Sequence, residues 1–356
     1  MVVKRKAKPL LIVIIVFAIL LLCSGGILSY LISPVDSSNE EIVEVEIVSG
    51  TSTSEIAAIL KKEKLIKSET LFKLYVKFNN VNSLKAATYR LNQSMGLGKI
   101  IDELEKGSTY NPNVIKLTLK EGETIPLFAK VISENTDNSY DEVIKVFKDM
   151  NYMESLVSKF WFLTDEILNP NIYYPLEGYL APDTYHFDNR SVSVNEIIET
   201  MLKEMNSKLT KYEAKIKNNV HSIMTMASIV ELEGTNTENR KMIVGVFNNR
   251  LKAGMNLGSD VTTYYGLQAA MTSDLTTEQF ASVNPYNTRS TTMIGKMPVG
   301  PICNPSLSSI EASVNPNNND YLFFVADKHG EIFYTKTNKE HEKKVKEIKD
   351  KGDWIW

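Results

Sequence analysis

A run of 23 residues without a charge, Leu10 to Ile32, constrains this chain more than any other feature. At 1.5 Å per residue it makes about 34 Å of helix, enough to cross a hydrocarbon core of about 30 Å. Lys4, Arg5, Lys6 and Lys8 precede it. Asp36, Glu40, Glu41, Glu44 and Glu46 follow, with no Lys or Arg before Lys61. This asymmetry predicts a cytoplasmic N-terminus and about 320 residues on the outer side of the cell membrane. A cleaved signal peptide is the alternative, with Ser24, Gly25 and Gly26 mimicking a cleavage site. The run exceeds the usual 7–15-residue apolar region of such a signal, which favours the single-pass anchor. A lipid-anchored reading at Cys23 is disfavoured by the bulky Leu22 before it. Cys23 in a membrane cannot pair with Cys303 outside, so no intramolecular disulfide is expected.

The overall charge of −3 hides this division. With the four N-terminal basic residues set aside, 36 Lys and Arg face 43 Asp and Glu, a net −7. Neither figure supports nucleic-acid binding. A charged fraction of 23% with 16 Tyr, 13 Phe and 3 Trp excludes general disorder.

Residues 1–33 are therefore read as stub and membrane helix, and 34–41 as a polar linker. From Ile42 the pattern predicts strand (Ile42–Val48), helix after a cap at Thr53 or Ser54, helix (Thr70–Phe78), strand (Thr88–Leu91) and a helix ending at Gly107. The unit then recurs. Gly122, Glu123 and Thr124 align with Gly50, Thr51 and Ser52 at an offset of 72, and Ala129 with Ala57. Thr184–Phe187 aligns with Thr88–Leu91 at an offset of 96. Two copies of a β-α-α-β-α unit follow, the second enlarged between Ile144 and Gly178. The predicted organisation is α+β: a module over 42–112, then 113–352, of which 113–191 is the enlarged repeat and 192–352 a catalytic core. Within that core, helices are predicted at Val194–Asn206, Asn219–Glu233 and Thr237–Ala253, a hairpin at Tyr321–Ala326 and Ile332–Thr335, and a Lys/Glu-rich helix at Lys339–Lys351.

Several chemistries lack their motifs. There is no HExxH, and His186, His221, His329 and His341 lie far apart, so no metal is expected. GxSxG, SxxK and Walker-type loops are absent. No cofactor is expected.

The most unusual segment is Ile223–Gly234, a helix apolar nearly all round that carries Glu231. A carboxyl in such surroundings has its charged form disfavoured, which suits a general acid. The other reading is a helix-end acid, exposed or paired with Arg240 or Arg250, and Glu233 is its clearer candidate. Three further patches, Gly258–Gly266, Asn284–Arg289 and Gly295–Pro305, read as loops rich in hydroxyl, amide and aromatic groups. Such groups suit a sugar-lined groove. Glu233, Asp260, Thr262, Tyr286, Asn287 and Asn304 are the expected substrate-positioning residues.

At these residues the chain resembles the YceG-like family. Leu176-Glu177-Gly178-Tyr179-Leu180-Ala181-Pro182-Asp183-Thr184-Tyr185 is similar to the family's LEGYLFPDTY, and Ala227-Ser228-Ile229-Val230-Glu231 to its ASIVE with a catalytic Glu. Ser259-Asp260-Val261-Thr262 resembles an SDPTV-type loop with Val261 replacing Pro. Lys296-Met297-Pro298-Val299-Gly300 departs from the family's LPPGPI, whereas Gly300–Pro305 and Tyr321–Asp327 fit. The resemblance implies a LysM-like module over 42–112. It implies endolytic lytic cleavage of nascent peptidoglycan strands, with 1,6-anhydro ends, alongside synthesis machinery such as penicillin-binding proteins. One carboxyl, Glu231, is then expected to act as acid and base. The rivals are a hydrolytic muramidase, which needs a second carboxylate from Glu233, Glu238 or Asp260, and a non-catalytic peptidoglycan-binding scaffold.

Overall fold

The computed structural model describes residues 25–79, 81, 83–108 and 110–354. The membrane span read at Leu10–Ile32 lies outside them except for residues 25–32, which are helical. Among the described residues no helix is long and apolar enough to cross a membrane. The chain divides into two compact units, one up to Asn113 and one from Val114.

In the first unit β1 (Val43–Ile47) pairs antiparallel with β2 (Ala87–Leu91), Val43 opposite Leu91. Alternation sends Val45, Ile47, Tyr89 and Leu91 into the core, where each such burial is worth about 1.5–3 kcal/mol. Between the strands lie α1 (Thr53–Lys62) and α2 (Glu69–Phe78), and α3 (Leu97–Lys106) follows. The cap of α1 is Ser52, one residue before the predicted positions. Its hydroxyl accepts from the Glu55 N–H while the Glu55 carboxylate accepts from the Ser52 N–H, a reciprocal pair that neither Thr53 nor Ser54 makes. Ile56, Leu60, Phe72, Ile100 and Leu104 fill the core.

The second unit begins with the same arrangement. β3 (Ile115–Leu119) pairs antiparallel with β4 (Asp183–Phe187), Ile115 opposite Phe187. These strands sit 72 and 96 residues after β1 and β2, in the same register. Between them lie α4 (Ile125–Asn135), α5 (Tyr140–Phe147) and α6 (Met150–Val157). The last of these, with the short turn Asp165–Leu168, makes up the enlargement. Its Met153, Leu156 and Ile167 bury against the sheet-and-helix core.

The remainder is built round α8 (Val220–Glu233), which follows α7 (Val194–Leu209). Every residue from Met224 to Val230 is buried. Val220, Met224 and Ala227 face the core formed with the repeat. Met226, Ile229 and Val230 face a second core with Phe247, Leu257, Tyr265 and Tyr286. The helix is therefore a wall between two apolar clusters, which is why it lacks a polar stripe. Against it pack α9 (Thr237–Lys252), α10 (Asp260–Gly266) and α11 (Leu307–Val314). The hairpin β5 (Phe323–Ala326) and β6 (Ile332–Thr335) is backed by α12 (Asn338–Asp350).

Two elements differ from the sequence reading. Most of the Gly258–Gly266 patch is the helix α10, whose Val261 to Gly266 are all buried; burial overrides the poor helix propensity of its β-branched residues. Helix α11 lies where turn signals dominate, its start fixed by Ser306, whose hydroxyl accepts from the Ser309 N–H.

Candidate active site

Glu231 stands on the last turn of α8. Four donors hold its carboxylate. Oε1 accepts from Arg240 Nη2 at 2.9 Å. Oε2 accepts from the Ser306 N–H at 2.8 Å, the Ser306 hydroxyl at 2.5 Å and the Ser309 hydroxyl at 2.7 Å. The two charged side chains are 7% (Glu231) and 13% (Arg240) exposed. Arg240 in turn reaches the Ser306 and Ser308 hydroxyls. The carboxylate thus lies at the N-terminal end of α11, where backbone N–H groups favour negative charge. Of the two sequence readings of Glu231, the structure shows the paired one, with Arg240 and not Arg250 as partner.

Gly234 makes that pairing possible. A Cβ there would lie 2.6 Å from Arg240 Cγ, so any side chain would block the fold-back of α9 onto the end of α8.

The segment that carries Ser306 is fastened along its length. His221 Nε2 meets the Val299 carbonyl at 2.8 Å while its Nδ1 meets the Tyr179 hydroxyl at 2.7 Å. Ser228 accepts from the Ile302 N–H, and Cys303 donates its thiol to the Ser228 carbonyl. Asn304 accepts from the Gly178 and Leu180 N–H groups and donates to the Glu123 carbonyl and to Glu177. Gly178 sits at φ +85°, and a Cβ would meet Pro301 Cβ at 2.3 Å, so the turn and the segment approach as only glycine permits.

Glu177 has no role in the sequence reading. It is buried and accepts from the Ile125 N–H, the Tyr265 hydroxyl and Asn304. It caps α4, whose own Thr124 makes no side-chain cap. Burial pushes its carboxyl up to about 8, against the opposing pull of those three donors. An acid between Leu176 and Gly178 in an apolar stretch is the one signal that could have marked it.

Glu233 faces away from Glu231. It accepts from the Ser259 hydroxyl at 2.5 Å, and burial pushes its carboxyl up to about 7, with Asp260 adding to the rise and Arg250 opposing it. The apolar-pocket carboxyls are therefore Glu177 and Glu233, and the ion-paired carboxyl is Glu231.

Four of the expected substrate-positioning residues are fully buried, and internal bonds occupy them. Thr262 donates to the Ser259 carbonyl and pairs with Thr288. The Tyr286 hydroxyl accepts from the Tyr173 N–H, its ring packed on Tyr173 and Tyr265 with centroids 4.8 Å apart in each case. Asn287 donates to the Phe280 and Ser282 carbonyls and accepts from Thr263. Asn304 bonds as described above. Buried polar groups need partners, and these find theirs within the protein, where they brace the loops. Asp260 is half-exposed and paired with Arg289, so it remains accessible.

A carboxylate held by an arginine, two serines and a helix N-terminus can accept a proton at a fixed point while keeping its orientation. Comparison with known proteins adds the chemical context. Residues 45–347 match the model of the YceG-like family. The chain is 39% identical over 338 residues to the endolytic murein transglycosylase of Bacillus subtilis (strain 168), covering 92% of each. It is 32% identical over 351 residues to the protein of the same name from Streptococcus pneumoniae serotype 2 (strain D39), spanning 92% of this chain and 63% of that relative. The crystal structure of a YceG-like protein from Listeria monocytogenes superposes with a TM-score of 0.60 at 36% identity, covering 85% of this chain and 99% of that one.

Proposed function

The chain belongs to the YceG-like family, and on that footing we propose that it is a membrane-anchored lytic transglycosylase that cuts murein glycan strands at internal bonds, with Glu231 as its catalytic carboxyl. The reaction class and the peptidoglycan substrate rest on relatives named endolytic murein transglycosylase. The observation that carries the site is the set of four donors fixing Glu231 at the end of a buried helix.

The chemistry needs no activated water. The MurNAc 6-hydroxyl attacks its own anomeric carbon, the bond to the GlcNAc 4-oxygen breaks, and a 1,6-anhydro end forms. Intramolecular attack brings an effective molarity of up to about 10⁵–10⁸ M when the groups are well oriented. The protein must hold the ring, take the 6-hydroxyl proton and deliver one to the leaving oxygen. A carboxylate already oriented by Arg240 and Ser306 is suited to the first of these proton transfers. Mass spectrometry of uncrosslinked glycan strands digested by the full chain in detergent is the test. Anhydro ends are the expected result. Reducing ends would mean a hydrolase, and undigested strands a scaffold.

The first unit is read as a LysM-like module on its β-α-α-β order. The basic stub and the apolar run Leu10–Ile32 support a single-pass anchor with the N-terminus cytoplasmic, which places both units beside nascent strands and the machinery that makes them. Protease added to cells with the cell membrane sealed is expected to remove the C-terminal part. Cleavage only after permeabilisation would reverse the topology.

A further inference from the structure

The stretch read as a polar linker is fastened to the first unit. The Asp36 N–H donates to the Gln93 carbonyl at 3.2 Å, and the Ser94 N–H to the Asn39 carbonyl at 3.0 Å. A Cβ on Gly96 would stand 3.5 Å from the Ile32 carbonyl oxygen and 3.8 Å from Pro34 Cδ, so the start of α3 lies against the end of the apolar run. Lys67 adds a direct tie. Its Nζ donates to the Tyr30 carbonyl at 3.1 Å and to the Ser33 hydroxyl at 2.9 Å, and stands 3.9 Å from the centre of the Tyr30 ring. A cation at the last carbonyls of a helix is favoured by the negative end of the helix dipole. Residues 34–41 therefore do not form a free tether.

These bonds fix a depth. Residues 25–32 are helical, with Ile27, Leu28 and Tyr30 exposed. In the single-pass reading they are the outer end of the span, and Tyr30 and Ser33 lie at the membrane–water interface, where tyrosine is enriched. Lys67 Nζ is bonded at that level. It belongs to the turn between α1 and α2, which carries Lys61, Lys62, Lys64 and Lys67 with one acid, Glu63. The part of the chain outside the N-terminal stub has a net charge of −7, so this turn stands against its surroundings. Leu65 and Ile66 are buried and hold the turn, while Lys61, Lys62 and Lys64 are exposed. Lys61 Nζ donates to the Lys67 carbonyl at 2.9 Å. Lys64 has φ +56°, the left-handed position after a helix where glycine is usual, and a lysine occupies it. Among the described residues none of the four lysines is ion-paired with a carboxylate. Of the acids that follow the span, Asp36 accepts from the Ser38 N–H and hydroxyl, and Glu44 pairs with Arg90.

We propose that the turn Lys61–Lys67 is a docking surface for anionic phospholipid headgroups, which seats the first unit on the outer face of the membrane at the point where the helix leaves it. The proposal rests on the single-pass anchor read at Leu10–Ile32 and is independent of the reaction at Glu231. Lys67 is spent on the helix end, and its bonds carry the turn down to headgroup level. The ammonium groups of Lys61, Lys62 and Lys64 are then the donors that meet phosphate oxygens, and an anionic surface attracts each of them. A tether would let the unit sweep a range of heights above the membrane; the seat holds it at one.

The test uses the full chain in lipid nanodiscs of phosphatidylcholine alone or of phosphatidylcholine with phosphatidylglycerol. Acetylation of each lysine is followed by mass spectrometry. Lys61, Lys62 and Lys64 are expected to react more slowly in the anionic nanodiscs by up to about fivefold, the factor by which such a surface favours a nearby lysine. Lys106, at the other end of α3 from Gly96, is the reference and should keep its rate. The difference should vanish in high salt, as the Debye length drops from about 10 Å at 0.1 M to about 3 Å at 1 M. Lys61→Gln/Lys62→Gln/Lys64→Gln changes exposed positions only and should fold as wild type. It is expected to lose the phosphatidylglycerol-dependent protection of the backbone amides from Lys61 to Ser68 in hydrogen exchange. Equal acetylation rates in the two nanodiscs, slowing of Lys106 to the same degree, or amide protection retained in the triple variant would overturn the proposal and leave the anchor standing. Slowing by inorganic phosphate added to the neutral nanodiscs would also overturn it, in favour of a free-anion site. A chain that is washed from the nanodiscs would overturn the anchor, and the seat with it.

Discussion

Glu231→Gln is expected to lower turnover on glycan strands by about 10²–10⁴-fold, the range for loss of a general acid or base. Gln keeps the length and planarity of Glu231 but cannot take the 6-hydroxyl proton. It also disturbs the cradle. If its amide oxygen faces Arg240, its NH₂ meets the Ser306 N–H, donor against donor; the flipped amide sets NH₂ against Arg240. Removing one partner of a buried ion pair costs about 3–5 kcal/mol. Activity is therefore measured at a temperature where circular dichroism shows the variant folded, and compared with wild type at equal folded fraction. Full lytic activity in the folded variant would remove Glu231 from the catalytic role.

Much of the frame was readable because it follows from local periodicity. Partial alternation marked β1, and the 72- and 96-residue offsets read from Gly50/Gly122 and Thr88/Thr184 are those at which the two sheets repeat. The apolar surface of α8 announced a buried helix, and it is one. The partners of Glu231 were not readable. Its partners come from Arg240, across a turn that only Gly234 permits, and from Ser306, 75 residues further on. No local pattern encodes that meeting. Burial raises the carboxyls of Glu177 and Glu233 above their ordinary value, against the hydrogen bonds each accepts. The internal bonding of the Asn, Thr and Tyr of the patches was unreadable for a related reason. Hydroxyl and amide groups suit a sugar groove and an internal brace equally well, and only the positions of Thr263, Thr288, Gly178 and Glu177 decide between them.

The stability of the second unit is expected to fall as pH rises from about 5 to 8, by a few kcal/mol in all, at no more than about 1.4 kcal/mol per pH unit for each group. Glu177 and Glu233 titrate at about 8 and about 7 in the folded chain, against an ordinary value of 4.5 once unfolded. Between those values the folded state keeps protons that the unfolded chain releases. Their contribution is complete below about 4.5 and is lost as pH climbs through 7 and 8. Urea denaturation followed by tryptophan fluorescence isolates the effect, since Trp161, Trp354 and Trp356 all belong to this unit. Glu177→Gln should flatten the slope and leave only the part due to Glu233. The amide oxygen can still accept from the Ile125 N–H and Asn304, and its NH₂ can donate to the Tyr265 hydroxyl. A wild-type stability that is level or rising over this range, or an unchanged slope in Glu177→Gln, would show that the Glu177 carboxyl is ionised in the folded state. Its protonation bears on the site as well as on the fold, because the Asn304 it holds is two residues from Ser306, the donor that orients Glu231.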